Sequence, residues 1–172
     1  TAGVELFEVS VNLYDRIAYR GSTEGVIALM RMKPLLAESI TLGDNPLVIV
    51  VESIEKPGNL GAIFRTADAC GADCVMVCDP LADVFNPNVI RASTGACFSV
   101  QCICCTSEEA FKWLKIHNVS ILITQLQDAS LYYDTDMRGA VAIVFGREDT
   151  GLSSFWKERS DAKIRIPMGG IC

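Results

Sequence analysis

Residues 47–67 read LVIVVESIEKPGNLGAIFRTA, an apolar run that passes through a polar loop into a stretch with helical spacing. An unbroken apolar run such as 47–51 is typical of a strand that is buried on both faces. From Leu60 onward the apolar residues recur at the intervals of a helix. A strand followed by a helix is the repeating unit of α/β proteins, so this stretch predicts the fold class.

The same alternation continues along the rest of the chain. We predict strands at 47–51, 74–78, 98–104, 120–124, 141–145 and 163–166, and helices at 60–70, 87–93, 108–116 and 152–159. The expected architecture is an α/β fold with a mostly parallel sheet and helices on both faces. Ligands of open α/β sheets bind beyond the carboxyl ends of the strands, so functional residues are expected in the loops that follow them.

The turn at residues 43–46 marks the predicted boundary between two parts of the chain. Residues 1–45 are predicted to form an N-terminal extension, and residues 46–172 the core domain. Within the extension, the segment 26–36 carries apolar residues at helical spacing, interrupted by Pro34. No stretch approaches the roughly 18 consecutive apolar residues of a membrane helix, so no membrane partner is expected.

The eight cysteines raise the question of disulfides or a metal site. Several of them, such as Cys74 and Cys78, lie in apolar runs, where free cysteine behaves as a small buried hydrophobe. We therefore expect reduced thiols and a cytoplasmic protein. The cysteines do not form paired Cys-x-x-Cys units and His117 is the only histidine, so we expect no metal site.

The net charge of −6 weighs against a nucleic-acid partner, because phosphate binding ordinarily requires a basic surface. A local cluster of Arg65, Arg91 and Arg147, or a separate domain, would remove this objection. Arg91 lies in the segment 88–96, where Ser93 and Gly95 are expected to shape the same loop.

The loop after the first strand is the first candidate site. Asn59 is expected to cap the following helix, Gly61 to permit close backbone approach, and Arg65 to lie about one turn beyond Gly61. Asn59 and Arg65 would then meet one ligand near the start of the helix. Taken alone, the motif fits an ordinary capped helix with a surface arginine at least as well.

Two further loops combine glycines with polar groups. In Phe145–Leu152, the glycines at 146 and 151 let the backbone turn and expose its amides and carbonyls, and Glu148 adds a carboxylate. In the segment 164–172, Pro167 ends a strand and two glycines follow. Either loop alone is equally consistent with an ordinary connection or a chain end.

Taken in order, the three loops resemble the three motifs of the SpoU (TrmH) family in the SPOUT superfamily of methyltransferases. Residues 59–67 match Asn-x-Gly-x-x-x-Arg-Thr-Ala, and residues 145–151 match Phe-Gly-x-Glu-x-x-Gly. Residues 166–170 match the opening of the third motif, Ile-Pro-Met-x-Gly. The segment 19–30 is similar to the stretch that joins the family's N-terminal RNA-binding domain to its core.

The resemblance implies a fold, an activity and partners. Members of the family have an α/β fold with a C-terminal trefoil knot and act as homodimers. They transfer a methyl group from S-adenosylmethionine to a ribose 2'-hydroxyl of tRNA or rRNA. By the same resemblance, residues 1–45 would include the remnant of a substrate-RNA-binding domain.

The resemblance also implies roles for single residues. Arg65 matches the arginine implicated in catalysis, while Asn59 and Glu148 match residues that shape the active site. Thr124, Gly146 and Ile166 match positions that contact the cofactor, and Met168 belongs to the same third motif. Arg91 would face the substrate.

The third motif of the family continues through a Ser-Leu-Asn segment into a helix that is threaded through the knot. The given sequence ends at Cys172, so this knot helix is expected to be absent from the 172 residues. We expect those residues alone to bind the cofactor poorly.

Arg65 is expected to act first as a clamp for the RNA phosphate and only second as a base. The pKa of a free arginine lies above about 12, so proton abstraction would need a strong perturbation. Binding a phosphate and placing the hydroxyl is chemically easier.

Two alternative functions belong to other classes of protein. A catalytically silent RNA-binding or assembly module would keep the fold without methyl transfer, although the two complete motifs argue against it. A nicotinamide or flavin enzyme would need Gly-x-Gly-x-x-Gly after the first strand, and residues 58–65 do not supply it. His117 is interpreted as a helix-end residue, and Tyr132 with Tyr133 as core or interface residues.

Overall fold

The computed structural model describes residues 3–19, 25–32 and 35–169. The chain forms two compact units, Thr1–Lys33 and Pro34–Cys172. Among the described residues, none of the helices is long and apolar enough to cross a membrane.

The first unit contains helix α1, Val11–Ile17. Ser10 caps this helix by accepting a hydrogen bond from the amide of Leu13 at 3.3 Å. The helical spacing at 26–36 is not realised over the described residues 26–32, which have no regular secondary structure. Their apolar side chains are exposed, and a short helix is unstable unless it buries an apolar face. Residues 20–24, part of the stretch that resembles the family's interdomain segment, lie outside the described residues.

The second unit contains seven strands and four helices within residues 35–169. The strands are β1 (Leu47–Glu52), β2 (Cys74–Cys78), β3 (Cys102–Cys105), β4 (Ser120–Thr124), β5 (Ser130–Leu131), β6 (Val141–Phe145) and β7 (Ala162–Arg165). The helices are α2 (Pro57–Ala69), α3 (Pro87–Ser93), α4 (Ser107–Ile116) and α5 (Ser154–Arg159). Short 3₁₀ turns lie at Ala37–Ser39, Ala96–Phe98 and Tyr132–Asp134.

The strands form one sheet in the order β3-β2-β1-β6-β4-β7-β5. Each pair of neighbouring strands in the described residues is parallel, which confirms the predicted parallel sheet. Val51 pairs with Phe145, so the loops that follow β1 and β6 begin side by side at the carboxyl edge.

Helices cover both faces of the sheet, as predicted. On one face, Leu114 of α4 and Trp156 of α5 are fully buried against the strands. On the other face, Leu60 and Phe64 of α2 and Val89 of α3 form a second core. Complete burial of a side chain such as phenylalanine or leucine contributes about 1.5–3 kcal/mol, so these two layers fix the helices on the sheet.

Helix α2 begins earlier than the sequence pattern predicts. Lys56 is the N-cap and Pro57 the first helical residue, and the cap makes no side-chain hydrogen bond. Proline favours this position because its φ angle suits a helix and its missing amide would have no partner there. Asn59 therefore lies inside the first turn, and its predicted role as the N-cap is wrong.

Strand β3 is shorter than predicted, and β5 was not predicted at all. Phe98, the first residue of the predicted strand, instead ends a 3₁₀ turn at Ala96–Phe98, after Gly95 with a φ angle of 92°. The hydroxyl of Ser93 accepts from the amide of Gly95 at 3.2 Å and stabilises this turn. β5 has two residues, too few for any periodicity to indicate a strand.

Candidate functional site

The loops after β1 and β6 are joined by two ion pairs. Lys56 Nζ lies 2.5 Å from Glu148 Oε2, and Arg147 Nη2 lies 2.6 Å from Glu55 Oε1. Glu148 and Arg147 are residues predicted from the sequence, whereas neither of their partners was predicted. Lys56 and Glu148 are 92 residues apart in the chain, so only the neighbouring positions of β1 and β6 bring them together.

An open cavity of about 880 Å³ lies between these loops and helix α2. Its apolar lining comes from Ile49, Ile54, Ala62, Ile63, Ala67 and Phe145. Its charged lining comes from Glu55, Lys56, Arg147, Glu148 and Asp149, and Asn59 is also part of it. A largely apolar cavity with a few polar groups is typical of a small-molecule site, and this volume is within the usual range.

The neighbours of Glu148 favour its ionised form. The hydrogen bond and charge of Lys56 lower the pKa of Glu148, and a hydrogen bond from Asn59 acts in the same direction. The same contact raises the pKa of Lys56. Asn59 and Glu148, which sequence reasoning placed in separate motifs, therefore meet at one point beside the cavity.

The loop of residues 146–152 has a tightly fixed backbone. Arg147 and Gly151 exchange two backbone hydrogen bonds of 3.1 and 3.0 Å. Gly151 has a φ angle of 69°, which favours glycine. A Cβ atom on Gly146 would collide with the backbone of Gly151 and Leu152. Both glycines are therefore required by the loop itself.

Arg147 directs its charge into this loop. Its guanidinium donates to both carboxylate oxygens of Asp149, at 3.0 and 3.2 Å, in addition to the ion pair with Glu55. The hydrogen bonds from Arg147 lower the pKa of Asp149 to about 2. Two carboxylates thus share the charge of Arg147.

Arg65 lies on an exposed part of α2, and Arg91 on an exposed part of α3. Nη1 of Arg65 donates to the carbonyl oxygen of Ala92 at 2.8 Å, which leaves other donors of the guanidinium open. The two helices approach closely at Gly61, where an added Cβ would lie 2.8 Å from the backbone of Ala92 and Ser93. Neither arginine lines the cavity.

The four residues expected to contact a cofactor lie at the ends of three adjacent strands. Thr124 ends β4, Gly146 follows β6, and Ile166 and Met168 follow β7. Thr124 Oγ1 donates to the carbonyl of Val144 at 3.0 Å. Ile166 and Met168 are 53% and 70% exposed, and of the four only Gly146 lines the cavity.

A buried acid at the same edge was missed by the sequence analysis. Glu52, the last residue of β1, is 7% exposed. Its carboxylate accepts from the amide and hydroxyl of Ser153, at 2.8 and 2.5 Å. The only sequence signal for Glu52 was a charged residue directly after an apolar run, at the strand end where functional groups gather.

His117, Tyr132 and Tyr133 lie outside the candidate site. His117 is the C-cap of α4, as interpreted from the sequence, and its Nδ1 lies 2.8 Å from the carbonyl of Trp113. Tyr132 and Tyr133 pack edge to face on each other and are 45% and 59% exposed, so the core interpretation is wrong for them. They follow a two-residue strand at the sheet edge, where the core does not reach.

The next question is whether the cysteines form disulfides or, with other side chains, a metal site. Within residues 3–19, 25–32 and 35–169, seven cysteines are free, and Cys172 lies outside this part. Over the same residues, histidine, cysteine and acidic side chains form no group of three that could hold a metal ion.

The sequence profile of the SpoU rRNA Methylase family matches residues 46–171. This chain belongs to the SpoU family. The match covers most of the chain and includes both loops that form the cavity, together with the strand ends beside it. Gly170, the last residue of the matched third-motif pattern, lies outside the described residues.

Members of the SpoU family with curated names are similar to this chain. It is 25% identical to the 23S rRNA (guanosine(2553)-2'-O)-methyltransferase RlmP of Bacillus subtilis, over 98% of this chain and 66% of that protein. It is 32% identical to the 23S rRNA (guanosine-2'-O-)-methyltransferase RlmB of Salmonella typhi, over 86% of this chain and 63% of that protein. The chain thus spans less than two thirds of these relatives.

A solved structure of the SpoU family has the same architecture. It is the methyltransferase AviRb from Streptomyces viridochromogenes in complex with the cofactor AdoMet, which is 28% identical. The superposition has a TM-score of 0.76 and covers 81% of this chain and 57% of AviRb.

Proposed function

We propose that this SpoU-family protein transfers a methyl group from S-adenosylmethionine to a ribose 2'-hydroxyl of tRNA or rRNA. The observation that carries the proposal is the meeting of Asn59 and Glu148 beside the cavity, at the carboxyl edge of a parallel sheet. Ligands of such sheets bind at this edge. The proposal is further supported by the names of RlmP and RlmB, which are both 23S rRNA 2'-O-methyltransferases of guanosine.

We propose that the cofactor is held by Thr124, Gly146, Ile166 and Met168. The fit rests on two features of the chain: the strand-end positions of all four residues and the close backbone packing at Gly146. The exposed side chains of Ile166 and Met168 offer apolar surface to an adenosine group. When bound, the cofactor would supply a methyl group on a positively charged sulfur.

The protein's task in such a transfer is positioning. Holding the reacting atoms close and aligned removes up to about 7–11 kcal/mol of the barrier in favourable cases. We propose that Arg65 and Arg91 bind RNA phosphates, and that Arg147 contributes less because Glu55 and Asp149 share its charge. Glu148, whose pKa is lowered by Lys56, would accept a hydrogen bond in the site.

We further propose that the protein acts as a cytoplasmic homodimer, with residues 1–45 as the remnant of an RNA-binding domain and a knot helix following the third motif. Free thiols support a reducing compartment. The exposed apolar side chains of Ile166 and Met168 support a contact with a further segment near the third motif.

Arg65→Ala tests the proposed catalytic arginine. We expect methyl transfer to fall at least a hundredfold, about 3 kcal/mol, because the transition state loses a charged contact. Binding of S-adenosylmethionine should stay within about threefold, since Arg65 lies on α2 and is not one of the four residues proposed to hold the cofactor. The measurement is transfer of labelled methyl from S-adenosylmethionine to total tRNA and rRNA, with titration calorimetry for the cofactor.

A control variant distinguishes the loss of an arginine in the site from the loss of an arginine elsewhere on the surface. Arg138→Ala removes an arginine whose side chain is 91% exposed and pairs with Asp136, and it should leave activity unchanged. Retained activity in Arg65→Ala would contradict the role given to Arg65. A wild-type protein that binds RNA but not S-adenosylmethionine would contradict the enzyme and identify a silent RNA-binding module.

A further inference from the structure

The carboxylate of Glu52 is buried at the end of β1, with 7% of the residue exposed. A buried carboxylate is costly unless hydrogen bonds offset the loss of water. Here Ser153 supplies two of them, and the hydroxyl of Ser107 lies 3.4 Å away. None of these contacts takes part in the chemistry proposed above, so the acid has another role.

Ser153 reveals that role. It is the N-cap of α5, but its side chain caps no amide of its own helix. Serine at this position ordinarily accepts a hydrogen bond from the second or third helical amide. The hydroxyl of Ser153 instead donates to Glu52, 101 residues earlier in the chain. The start of α5 is thereby fastened to the end of β1.

Strand β1 consequently holds the loop of residues 146–152 at both ends. Val51 pairs with Phe145 just before the loop, and Glu52, the next residue of β1, binds Ser153 just after it. Glu148 lies between these two anchors. Shifting Ser153 would therefore shift the loop that presents Glu148.

Ser107 connects helix α4 to the contact between Glu52 and Ser153, which we call the Glu52 anchor. It is the first residue of that helix, and its hydroxyl donates to Asp79 at 2.6 Å. The same hydroxyl accepts from the indole nitrogen of Trp156 at 3.2 Å. Because Trp156 belongs to α5 and is fully buried, the polar network joins both helices to the strand ends.

We propose that Glu52 is a positioning residue that fixes the loop carrying Glu148. Its effect on catalysis rests on the proposed function, whereas its effect on the loop does not. The hydrogen bonds are charge-assisted and therefore stronger than neutral ones. A glutamine at the same position would keep an acceptor for the amide of Ser153 and could donate to the hydroxyl.

Hydrogen exchange in the full chain tests the anchor directly. In Glu52→Ala, the amides of Arg147, Gly151 and Ser153 should exchange at least about tenfold faster, because charge-assisted bonds that hold the loop are lost. In Glu52→Gln, the same amides should stay within about threefold of the wild type. Unchanged exchange of these amides in Glu52→Ala would overturn the proposal.

Asp73→Ala is the matched control. Asp73 also accepts from two backbone amides, those of Gly43 and Leu47 at 2.8 and 2.9 Å, but at the amino edge of the sheet. Its replacement should accelerate exchange at Gly43 and Leu47 and leave residues 146–153 unchanged. If Asp73→Ala accelerated exchange in residues 146–153 as much as Glu52→Ala does, the effect of Glu52 would be a general loss of stability. That result would overturn the proposal.

Catalysis gives the second readout. Glu52→Ala should lower kcat/KM for methyl transfer about tenfold or more, and Glu52→Gln should recover most of it. A loosened loop in a protein whose wild type transfers no methyl group would refute the proposed function and leave the anchor intact. A loosened loop with unchanged kcat/KM would overturn the catalytic part of this inference.

Ser153→Ala covers the case in which Glu52→Ala does not fold. This variant removes one hydroxyl from an exposed residue. The hydrogen bond from the backbone amide of residue 153 to Glu52 stays in place. We expect a smaller acceleration, about threefold, at the amides of Arg147 and Gly151. No change at either amide would overturn the anchor.

Discussion

The pKa of Glu148 is lowered by a lysine that lies 92 residues earlier in the chain. Both side chains are mostly exposed, at 69% and 66%, so their ion pair contributes little to stability. Its consequence is chemical, because Lys56 lowers the pKa of a carboxylate beside the cavity and fixes the direction in which that carboxylate points. Lys56 lies outside both motifs, so the motifs alone do not describe the surroundings of Glu148.

The lowered pKa of Glu148 predicts how the ion pair depends on pH. The pair is complete above the ordinary carboxyl pKa of about 4.3 and is lost as pH falls through the lower folded value. Lys56→Met should raise the pKa of Glu148 toward the ordinary value, since the largest cause of the shift is removed. NMR titration of the Glu148 carboxyl measures both values, and equal pKa values in the two proteins would contradict the assignment.

The thiols on strands β2 and β3 differ in their reactivity. Burial raises the pKa of Cys74 to about 12, whereas a hydrogen bond from Cys102 lowers the pKa of the exposed Cys104. Because the thiolate is the nucleophile, we expect Cys104 to be alkylated first at neutral pH and Cys74 only after unfolding. Mass spectrometry of partly alkylated protein measures the order, with the exposed Cys70 as an accessible reference.

At the scale of elements, the contact between α2 and α3 positions Arg65. Gly61 is buried at this contact, and Arg65 follows one turn later and bonds to the carbonyl of Ala92 on α3. The spacing of the two helices therefore sets the direction in which the guanidinium points. A glycine in the middle of a helix is otherwise unfavourable, so the close approach explains its presence.

Gly61→Ala should destabilise the protein by about 1–3 kcal/mol, because the new methyl group would overlap the backbone of Ala92 and Ser93. Gly58→Ala is the matched control in the same helix, since a Cβ there would meet no atom within 4 Å. That control should be neutral or stabilising by up to about 1 kcal/mol. Urea denaturation of both variants measures the difference, and equal stabilities would contradict the packing argument.

The elements of the core could be predicted from the sequence because their signals are local. Strands β2, β4 and β6 have the predicted bounds, since each is a short apolar run in a buried sheet. Helix α2 starts earlier than predicted because Pro57 occupies the first helical position, where its fixed φ angle suits a helix. Glu52 and Lys56 were missed for a different reason. Their partners lie more than ninety residues away, and no local pattern contains such a pairing.

The whole molecule combines an acidic surface with a proposed RNA substrate. The net charge of −6 means that non-specific attraction to RNA is weak, so binding must rely on a few placed cations. Arg65 and Arg91 are exposed on neighbouring helices, while Arg147 is paired with Asp149 of its own loop and with Glu55 of the loop after β1.

RNA affinity should therefore depend only shallowly on salt. Each neutralised phosphate of single-stranded RNA changes the slope of log affinity against log salt by about −0.7, so two arginines predict a total of about −1.4. Arg91→Ala should reduce the slope by about one such step, and Arg147→Ala should leave it nearly unchanged. Fluorescence anisotropy across a salt series measures this, and a slope steeper than about −3 would indicate a larger basic surface.

The parallel pairing of β1 with β6 also determines the order in which parts of the protein can fold during synthesis. During synthesis, β1 emerges early, but one of its edges has no partner until residues 141–145 have been made. Synthesis adds roughly 5–20 residues per second, so that edge of β1 stays unpaired for several seconds. During this time it is exposed to pairing with other chains. The cavity, the Lys56–Glu148 pair and the Glu52 anchor all require β6, so they form late in synthesis. A nascent chain that stops before residue 141 carries the first motif but has no site in which to use it.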